Sequence, residues 1–216
     1  MLKHLETTKL FYDEYAYKLG LMTPLAHLFR EKKWKYCRDE LDKLQSCAEE
    51  NLPLVLGNWH RQKSYDLESF EEAKILFNEL TKTDHYKIRV ENPILALYSN
   101  DKSWLKHIAS VANNPVNFYE PKYVLAKNQI IVDYEVVYSY RITFHSKPDP
   151  GLAKWIESNP NLASAGSVCL DAVKENSYVK GLYFYVRDEK ILALVNLMLG
   201  KNNRIDKIVS RLDLDK

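Results

Sequence analysis

The stretch Leu182-Tyr183-Phe184-Tyr185-Val186-Arg187-Asp188 decides the fold class of this 216-residue chain. Its first five residues are apolar or aromatic, which is typical of a strand, and aspartate commonly caps the start of a helix. A strand resumes over residues 205–212, and apolar residues at helical spacing lie between the two segments: Ile191, Leu192, Val195 and Met198. This succession predicts a β-α-β unit.

An earlier segment has the same layout. A strand-like run over residues 95–98 reaches Asn100-Asp101, and a strand resumes over residues 116–119. Between them, helical spacing relates Trp104, Leu105, Ile108 and Val111. We interpret the two segments as a structural duplication with Asp101 and Asp188 as equivalent N-caps, the alternative being a chance similarity of two β-α-β units. Two such units in one region imply a sheet with helices on one side, similar to ferredoxin-like folds, including RNA-recognition modules.

Residues 135–145 form the clearest alternating pattern of the chain. Apolar and aromatic residues alternate with polar ones, and only Val137 breaks the rule. Such a strand has one buried face and one face in water. Because this strand and both β-α-β segments follow Asp84, the sequence predicts an independently folded α+β domain over residues 85–216.

Residues 1–84 are predicted to be mostly helical. Apolar residues recur at spacings of three and four over residues 34–48, and Ser69-Phe70-Glu71-Glu72 resembles a capping box that opens a second helix. Residues 1–22 are rich in tyrosine and phenylalanine and receive no assignment. The expected fold class is therefore α+β, with a helical N-terminal region and a ferredoxin-like C-terminal region that contains the duplicated β-α-β unit.

The composition describes a folded chain without a strong overall charge. Hydrophobic residues make up 46%, and 31 lysines and arginines against 29 acidic residues leave a net charge of +2. A polyanionic partner would therefore have to bind a local patch. Three cysteines without a CxxC pair argue against disulfides and a four-ligand zinc site, so a reducing, cytoplasmic compartment is expected. The longest apolar run, residues 191–199, is too short to span a membrane, and the first residues lack the apolar stretch of a secretory signal.

No catalytic motif is recognisable in the chain. Its six glycines allow neither a GxGxxG motif nor a P-loop, and its six histidines stand alone. We therefore expect no cofactor, no metal site and no enzymatic activity. One alternative is a divalent-metal nuclease, because Asp133 and Glu135 would share one side of a strand. Val137 stands where a nuclease of the restriction-enzyme type would carry lysine, so a solvated strand start is the competing interpretation.

A basic stretch with interleaved aromatic residues is the first indication of nucleic-acid binding. Phosphates attract cations and exposed bases stack on flat side chains. The alternative is a solvated helix with a core tryptophan, because acidic residues follow at Asp39, Glu40 and Asp42. The candidate binding residues of this stretch are Arg30, Lys32, Lys33, Trp34, Lys35 and Arg38.

The second indication is Lys180-Gly181-Leu182-Tyr183-Phe184-Tyr185-Val186, which resembles the aromatic strand motif of RNA-recognition modules. Lys180, Gly181 and Phe184 fit that motif, whereas leucine replaces its first aromatic residue and Tyr183 its small one. Alternation puts Tyr183, Tyr185 and Arg187 on one face of the strand, where the tyrosines would stack on bases unless a third layer covers them. The candidate binding residues here are Lys180, Tyr183, Tyr185 and Arg187.

Two segments are also similar to uncharacterised proteins of tailed bacteriophages. They are Tyr183-Phe184-Tyr185-Val186-Arg187-Asp188-Glu189-Lys190 and Arg89-Val90-Glu91-Asn92-Pro93-Ile94-Leu95-Ala96-Leu97-Tyr98-Ser99-Asn100-Asp101. The resemblance implies a viral protein in the host cytoplasm and carries no activity with it. The predicted function is non-enzymatic binding of nucleic acid or a nucleoprotein assembly. The alternative is a virion component or a protein that binds a host protein through the same tyrosine-rich surface.

Overall fold

The structure is a computed structural model that describes residues 2–57, 62–199 and 202–215. It has an α+β fold, divided into two compact units, Met1–Val124 and Leu125–Lys216. The division lies after Val124 and not after Asp84. The physical reason is strand pairing: two of the three strands within residues 86–120 hydrogen-bond to strands from the first 22 residues, and the third pairs with one of those two, so all of them share one sheet.

Unit 1 contains seven strands, three α-helices and one 3₁₀ helix among its described residues. They are β1 (Lys3–Glu6), β2 (Tyr17–Met22), the 3₁₀ helix (Ala26–Lys32), α1 (Trp34–Glu49), β3 (Leu54–Leu56), β4 (Lys63–Tyr65), α2 (Leu67–Leu80), β5 (Tyr86–Glu91), β6 (Ile94–Ser99), α3 (Lys102–Val111) and β7 (Pro115–Glu120). The prediction of a mostly helical region over residues 1–84 is corrected, because four of these strands lie within it. The residues left without an assignment form β1 and β2.

The main sheet of unit 1 has the order β1-β7-β2-β6-β5, and β3 and β4 form a separate hairpin. β1 runs parallel to β7, and all other neighbours are antiparallel. One face of the sheet is buried against the helices: Leu19, Leu97 and Phe118 are fully buried in one cluster with Leu44 of α1 and Phe70 of α2. The capping aspartate of α2 is Asp66, which accepts from the Ser69 backbone at 2.7 Å, so this helix begins earlier than the predicted capping box.

Unit 2 contains five strands and four helices among its described residues. They are β8 (Gln129–Val132), β9 (Tyr140–Thr143), α4 (Gly151–Ser158), β10 (Ala163–Ala165), α5 (Ser167–Lys174), β11 (Tyr183–Val186), α6 (Glu189–Leu199), β12 (Arg204–Ser210) and α7 (Arg211–Leu214). The sheet order is β10-β11-β9-β12-β8, with β8 parallel to β12 and the other neighbours antiparallel. The strand predicted over residues 135–145 is shorter, because the chain pairs in the sheet only from Tyr140; the irregularity at Val137 belongs to the segment before it.

Both predicted β-α-β segments are present, one in each unit. The segment β6-α3-β7 encloses β2 between its two strands, and β11-α6-β12 encloses β9. Asp101 accepts from the Trp104 backbone at 2.8 Å and Asp188 accepts from the Ile191 backbone at 3.0 Å, so both predicted helix caps are confirmed. Gly200, a residue type that commonly ends a helix, lies outside the described residues. Each unit carries the split β-α-β arrangement of ferredoxin-like folds with one additional edge strand.

Within the described residues, no helix combines the length and the apolar character that crossing a bilayer requires.

Candidate nucleic-acid interface

Two tyrosines of β11 lie on the sheet face of unit 2 that is turned away from the helices. Phe184 and Val186 are fully buried in one core with residues of α4, α5 and α6. Tyr183 is 44% exposed and Tyr185 is half-buried, as expected for alternate residues that point to the opposite face. The predicted alternation along β11 is therefore present in the structure.

Strand register adds three charged residues to the same face. Tyr185 pairs with Arg141, and Arg141 pairs with Asp206 on the next strand. Tyr183 pairs with Thr143, which in turn pairs with Arg204. We call these residues the tyrosine face of unit 2: Arg141, Tyr183, Tyr185, Arg204 and Asp206.

A buried carboxylate organises the two arginines. Asp206 is fully buried, and its Oδ2 lies 2.6 Å from Nη2 of Arg141 while its Oδ1 lies 2.9 Å from Nε of Arg204. The side chain of Arg141 is 20% exposed and that of Arg204 is 32% exposed, so both still contact water. A carboxylate out of contact with water needs such partners. The three residues carry one net positive charge, which the fold holds at a fixed position.

The arginine and tyrosine side chains of this face contact one another. The Arg141 guanidinium lies 5.3 Å from the Tyr183 ring centroid, and the Tyr183 and Tyr185 rings meet edge to face at 5.5 Å. Burial, with a smaller contribution from neighbouring Tyr183, raises the pKa of Tyr185. The phenol therefore stays neutral at physiological pH and adds no negative charge to a surface that an anion would approach.

A cleft lies between this face and the linker that joins β8 to β9. Its volume is about 300 Å³, at the lower end of the range for small-molecule sites. Tyr138 of the linker donates from its hydroxyl to the Pro160 carbonyl at 2.6 Å, and the linker ends where the Ser139 amide donates to the Arg187 carbonyl. A single planar ring system would fit against Tyr185 in this cleft. The residues that line it are Tyr134, Glu135, Val136, Val137, Tyr138, Tyr185 and Ile208.

The remaining predicted residues of the second group flank β11. Lys180 is exposed in the turn before the strand, next to Gly181, whose positive φ of 89° favours glycine. Arg187 is exposed after the strand, but its Nε donates to the carboxylate of Asp188 at 3.0 Å. That ion pair offsets the charge of Arg187.

The basic stretch predicted from the sequence belongs to unit 1 and is described by itself. It starts in the 3₁₀ helix and continues into the first turns of α1. Arg30, Lys33, Lys35 and Arg38 are exposed. Lys33 lies 2.7 Å from the carboxylate of Glu31, whereas Lys35 forms no ion pair with the described part of the chain.

Lys32 differs from its neighbours because it is packed against the protein. Its Nζ lies 3.9 Å from the Tyr86 ring centroid and donates to the Asp84 carbonyl at 3.1 Å, and only 26% of the side chain is exposed. Burial lowers the pKa of this amine. A carbonyl and an aromatic ring of unit 1 thus hold this ammonium, and Lys32 is a structural cation.

Trp34 is likewise part of the packing of unit 1. It is half-buried beside the core and meets the Phe77 ring edge to face at 6.0 Å. The Arg38 guanidinium lies 5.6 Å from the same ring. The structure places Trp34 as in the alternative interpretation, a solvated helix with a tryptophan against the core.

The residues proposed for a nuclease are not on a strand. Asp133 and Glu135 follow the end of β8 at Val132 and precede β9, so the argument from a shared strand face is wrong. Asp133 instead lies 2.8 Å from Nε of Arg211. Among the described residues, no group of three or more His, Cys, Asp or Glu side chains is placed to hold a metal ion.

Comparison with known proteins gives no relative: no family model matches the chain, and no curated protein or solved structure is significantly similar to it.

Sequence reasoning identified the tyrosines but missed the charged residues beside them. Arg141 lies within the alternating pattern of residues 135–145, which predicts the strand face that it occupies but not its neighbours on other strands. Arg204 and Asp206 join the site only through the pairing of β12 with β9, two strands that are far apart in the sequence. The charge reversal within Arg204-Ile205-Asp206 is the one local signal, because residues two apart on a strand share a face.

Proposed function

We propose that this protein binds single-stranded nucleic acid through the tyrosine face of unit 2. The observation that carries the proposal is the placement of Tyr183 and Tyr185 on the face away from the helices, directly beside the guanidinium of Arg141. RNA-recognition modules bind on an equivalent sheet face, where aromatic side chains stack on two or three bases. The motif resemblance of residues 180–186 supports the same mode of binding.

Each group of the face has a defined task in this proposal. Tyr183 and the cleft beside Tyr185 accept bases, because every base has a flat surface and stacking tolerates any sequence. Arg141 and Arg204 attract the phosphates, and Asp206 holds the two arginine side chains in position. The buried Nε–H of Arg141 has no acceptor among the described residues, which leaves a donor for the ligand.

The geometry favours single strands over duplexes. Stacking on a protein ring requires an unpaired base that can leave its neighbours, and the bases of a duplex are stacked on one another. The cleft beside Tyr185, with a volume of about 300 Å³, is of the size of a small-ligand site and too small for a duplex, whose grooves are read by elements that enter them.

In this proposal the exposed basic residues of unit 1 add an attraction that does not depend on sequence. Arg30, Lys33, Lys35 and Arg38 would contact phosphates, whereas Lys32 is committed to its contacts with Tyr86 and Asp84. A viral origin and a location in the host cytoplasm remain part of the proposal on the strength of the phage-like segments.

A second candidate function is a protein interaction, as a virion component or in binding a host protein. The observation in its favour is the apolar surface of α6, where Leu194 and Met198 are each 44% exposed and Leu197 is 85% exposed. Surface apolar residues in a group are typical of protein interfaces, where methionine and tyrosine are enriched.

Fluorescence anisotropy with labelled oligonucleotides tests the proposed function. We expect single-stranded DNA or RNA of about 12 nucleotides to bind more tightly than the matching duplex at about 50 mM salt. Absence of binding to single-stranded and double-stranded DNA and RNA at that salt concentration would overturn it. The protein-interaction function would then take its place.

A further inference from the structure

The two units have the same topology throughout their main sheets. In chain order, unit 1 contributes β1, β2, β5, β6 and β7, and unit 2 contributes β8, β9, β10, β11 and β12. When the strands of each unit are numbered along the chain, both sheets have the order 1-5-2-4-3. In both sheets strands 1 and 5 are parallel. The duplication predicted for one β-α-β unit therefore extends to the whole sheet.

The equivalence can be followed to single residues. Tyr98 precedes the helix-capping Asp101 by three residues, and Tyr185 precedes the helix-capping Asp188 by three. Each tyrosine lies on the sheet face away from the helices and opposite a cation of the central strand: Lys18 faces Tyr98, and Arg141 faces Tyr185. Unit 1 thus contains a counterpart of the tyrosine face.

The counterpart in unit 1 is covered by the chain itself. Residues 11–15, which we call the strap, form a turn in the linker between β1 and β2. The Phe11 ring lies 5.4 Å from the Tyr98 ring and 5.8 Å from the Tyr119 ring, and the Tyr12 ring meets Tyr98 edge to face at 5.0 Å. Tyr98 is consequently only 4% exposed, whereas Tyr185, its counterpart in unit 2, is half-buried beside a cleft.

The strap contacts one cation of this face through Tyr12, and a second cation packs on the tyrosines of the face itself. The Lys87 ammonium lies 3.7 Å from the Tyr12 ring centroid, and Lys18 lies 5.5 Å and 5.1 Å from the rings of Tyr98 and Tyr119. These contacts place aromatic rings of the strap beside a tyrosine and an ammonium group. A stacked base would need the same neighbours, so a base and the strap compete for one place.

The strap also has polar anchors, among them side-chain hydrogen bonds of Tyr12 with Arg89 and Tyr98. The Ala16 amide donates to Oδ1 of Asn100 at 2.8 Å, and Nδ2 of Asn100 donates to the Glu14 carbonyl at 3.0 Å. Tyr12 and Asp13 both have positive φ, at 56° and 59°, a conformation that residues with a side chain rarely adopt. Ring contacts and the Asn100 side chain therefore hold the strap against an unfavourable backbone.

The corresponding linker in unit 2, residues 133–139, leaves its face accessible. It stands off from Tyr185 by the cleft of about 300 Å³. In unit 2 there is thus room for a ring beside Tyr185. In unit 1 the rings of Phe11 and Tyr12 fill the equivalent space beside Tyr98.

We propose that the strap occludes a second single-strand-binding site on unit 1, formed by Lys18, Lys87, Tyr98 and Tyr119. The inference rests on the proposed function of the tyrosine face for the class of ligand, and on the strap contacts for the location of the second site. With the strap in place, the tyrosine face of unit 2 accepts bases and its counterpart on unit 1 does not. Displacement of the strap exposes Tyr98 and releases Lys87 from the Tyr12 ring.

The number of bound oligonucleotides tests this inference. Native mass spectrometry and calorimetry are carried out with a single strand of about four nucleotides, the smallest site size of such proteins. The wild-type chain should bind one strand. The double variant Phe11→Ala and Tyr12→Ala should bind two, and further replacement of Lys18 by glutamine should return the count towards one. Tyr178→Ala, which removes an exposed tyrosine of unit 2, is the control and should leave the count at one.

A second variant guards against loss of the unit 1 fold. Asn100→Ala keeps both strap rings and removes one polar anchor of the strap backbone, so it should increase binding at the second site while circular dichroism stays unchanged. A wild-type chain that binds one strand and strap variants that also bind one would overturn the inference and leave the proposed function standing. Binding by the strap variants but not by the wild-type chain would support the inference and contradict the proposed function of unit 2. Absence of binding by all of these proteins would overturn both claims.

Discussion

Tyr98 and Tyr185 occupy equivalent positions in two sheets of the same topology, each opposite a cation of the central strand and three residues before a helix-capping aspartate. Their surroundings differ, because the rings of Phe11 and Tyr12 cover Tyr98 and a cleft adjoins Tyr185. The two faces therefore differ in one respect: aromatic rings of the chain itself pack on the first, and an open cleft adjoins the second.

Replacement of Tyr183 by alanine should weaken single-strand binding by about 1–3 kcal/mol, the cost of losing one stacked base. The slope of log affinity against log salt should change little, because stacking releases no counterions. Anisotropy titrations at several salt concentrations provide both quantities. Tyr178→Ala is the matched control, since Tyr178 is 75% exposed in the same unit. Equal effects of the two substitutions would argue against stacking on β11.

Lys35 and Lys32 should respond in opposite ways to replacement by glutamine. Lys35→Gln should lower the salt slope of binding by about 0.7 for a single strand and leave stability unchanged, because the side chain is exposed. Lys32→Gln should leave the slope unchanged and destabilise unit 1 by about 1–2 kcal/mol, through loss of its ring contact and its bond to the Asp84 carbonyl. Titration and urea denaturation distinguish the two. A reduced salt slope for Lys32→Gln would contradict the structural role of this cation.

Asp206→Asn should destabilise unit 2 by about 2–3 kcal/mol. Removing one partner of a buried ion pair typically costs about 3–5 kcal/mol, and the partial exposure of Arg141 and Arg204 reduces that figure. Hydrogen exchange of the β12 amides measures the loss. Asp171→Asn on the exposed side of α5 is the control and should change stability by less than about 0.5 kcal/mol. Unchanged exchange in Asp206→Asn would mean that the arginines do not depend on this carboxylate.

The cap of α2 should make stability depend on pH in the acid range. The Ser69 amide donates to Asp66 and lowers the pKa of this carboxyl below its ordinary value of about 3.9. A lowered pKa in the folded state means that the stabilisation is complete above that ordinary value and is lost as pH falls through the folded value. Asp66→Asn keeps an acceptor and removes the charge. Its difference in melting temperature from wild type should be constant from pH 7 to 5 and shrink below about pH 4; a difference that widens there would contradict this.

The features of the fold that the sequence predicts correctly are those that depend on local patterns. The alternation along β11 and the caps at Asp101 and Asp188 depend on residues within a few positions, so sequence alone could predict them. The pairing of β1 with β7 and of β2 with β6 could not be predicted, because it joins segments far apart in the chain. That pairing moves the division of the chain from residue 84 to residue 124.

The same distinction applies to the candidate site. Tyr183 and Tyr185 follow from strand alternation, but the cluster of Arg141, Arg204 and Asp206 exists only because β9 lies between β11 and β12. Lys32 resembled its neighbours in sequence, and only the position of Tyr86 on β5 turns it into a structural cation. Charge composition could identify a basic stretch but not which of its members is packed.

The most direct test of the account locates the bases on the protein. Single-stranded RNA that carries a photoreactive uridine is irradiated with the wild-type chain, and the cross-linked peptides are identified by mass spectrometry. The account predicts cross-links to Tyr183 or Tyr185 and to the linker over residues 133–139, which lines the cleft beside Tyr185. Cross-links confined to residues 30–38, or binding that yields no cross-link in β11, would contradict the claim that the tyrosine face of unit 2 receives the bases.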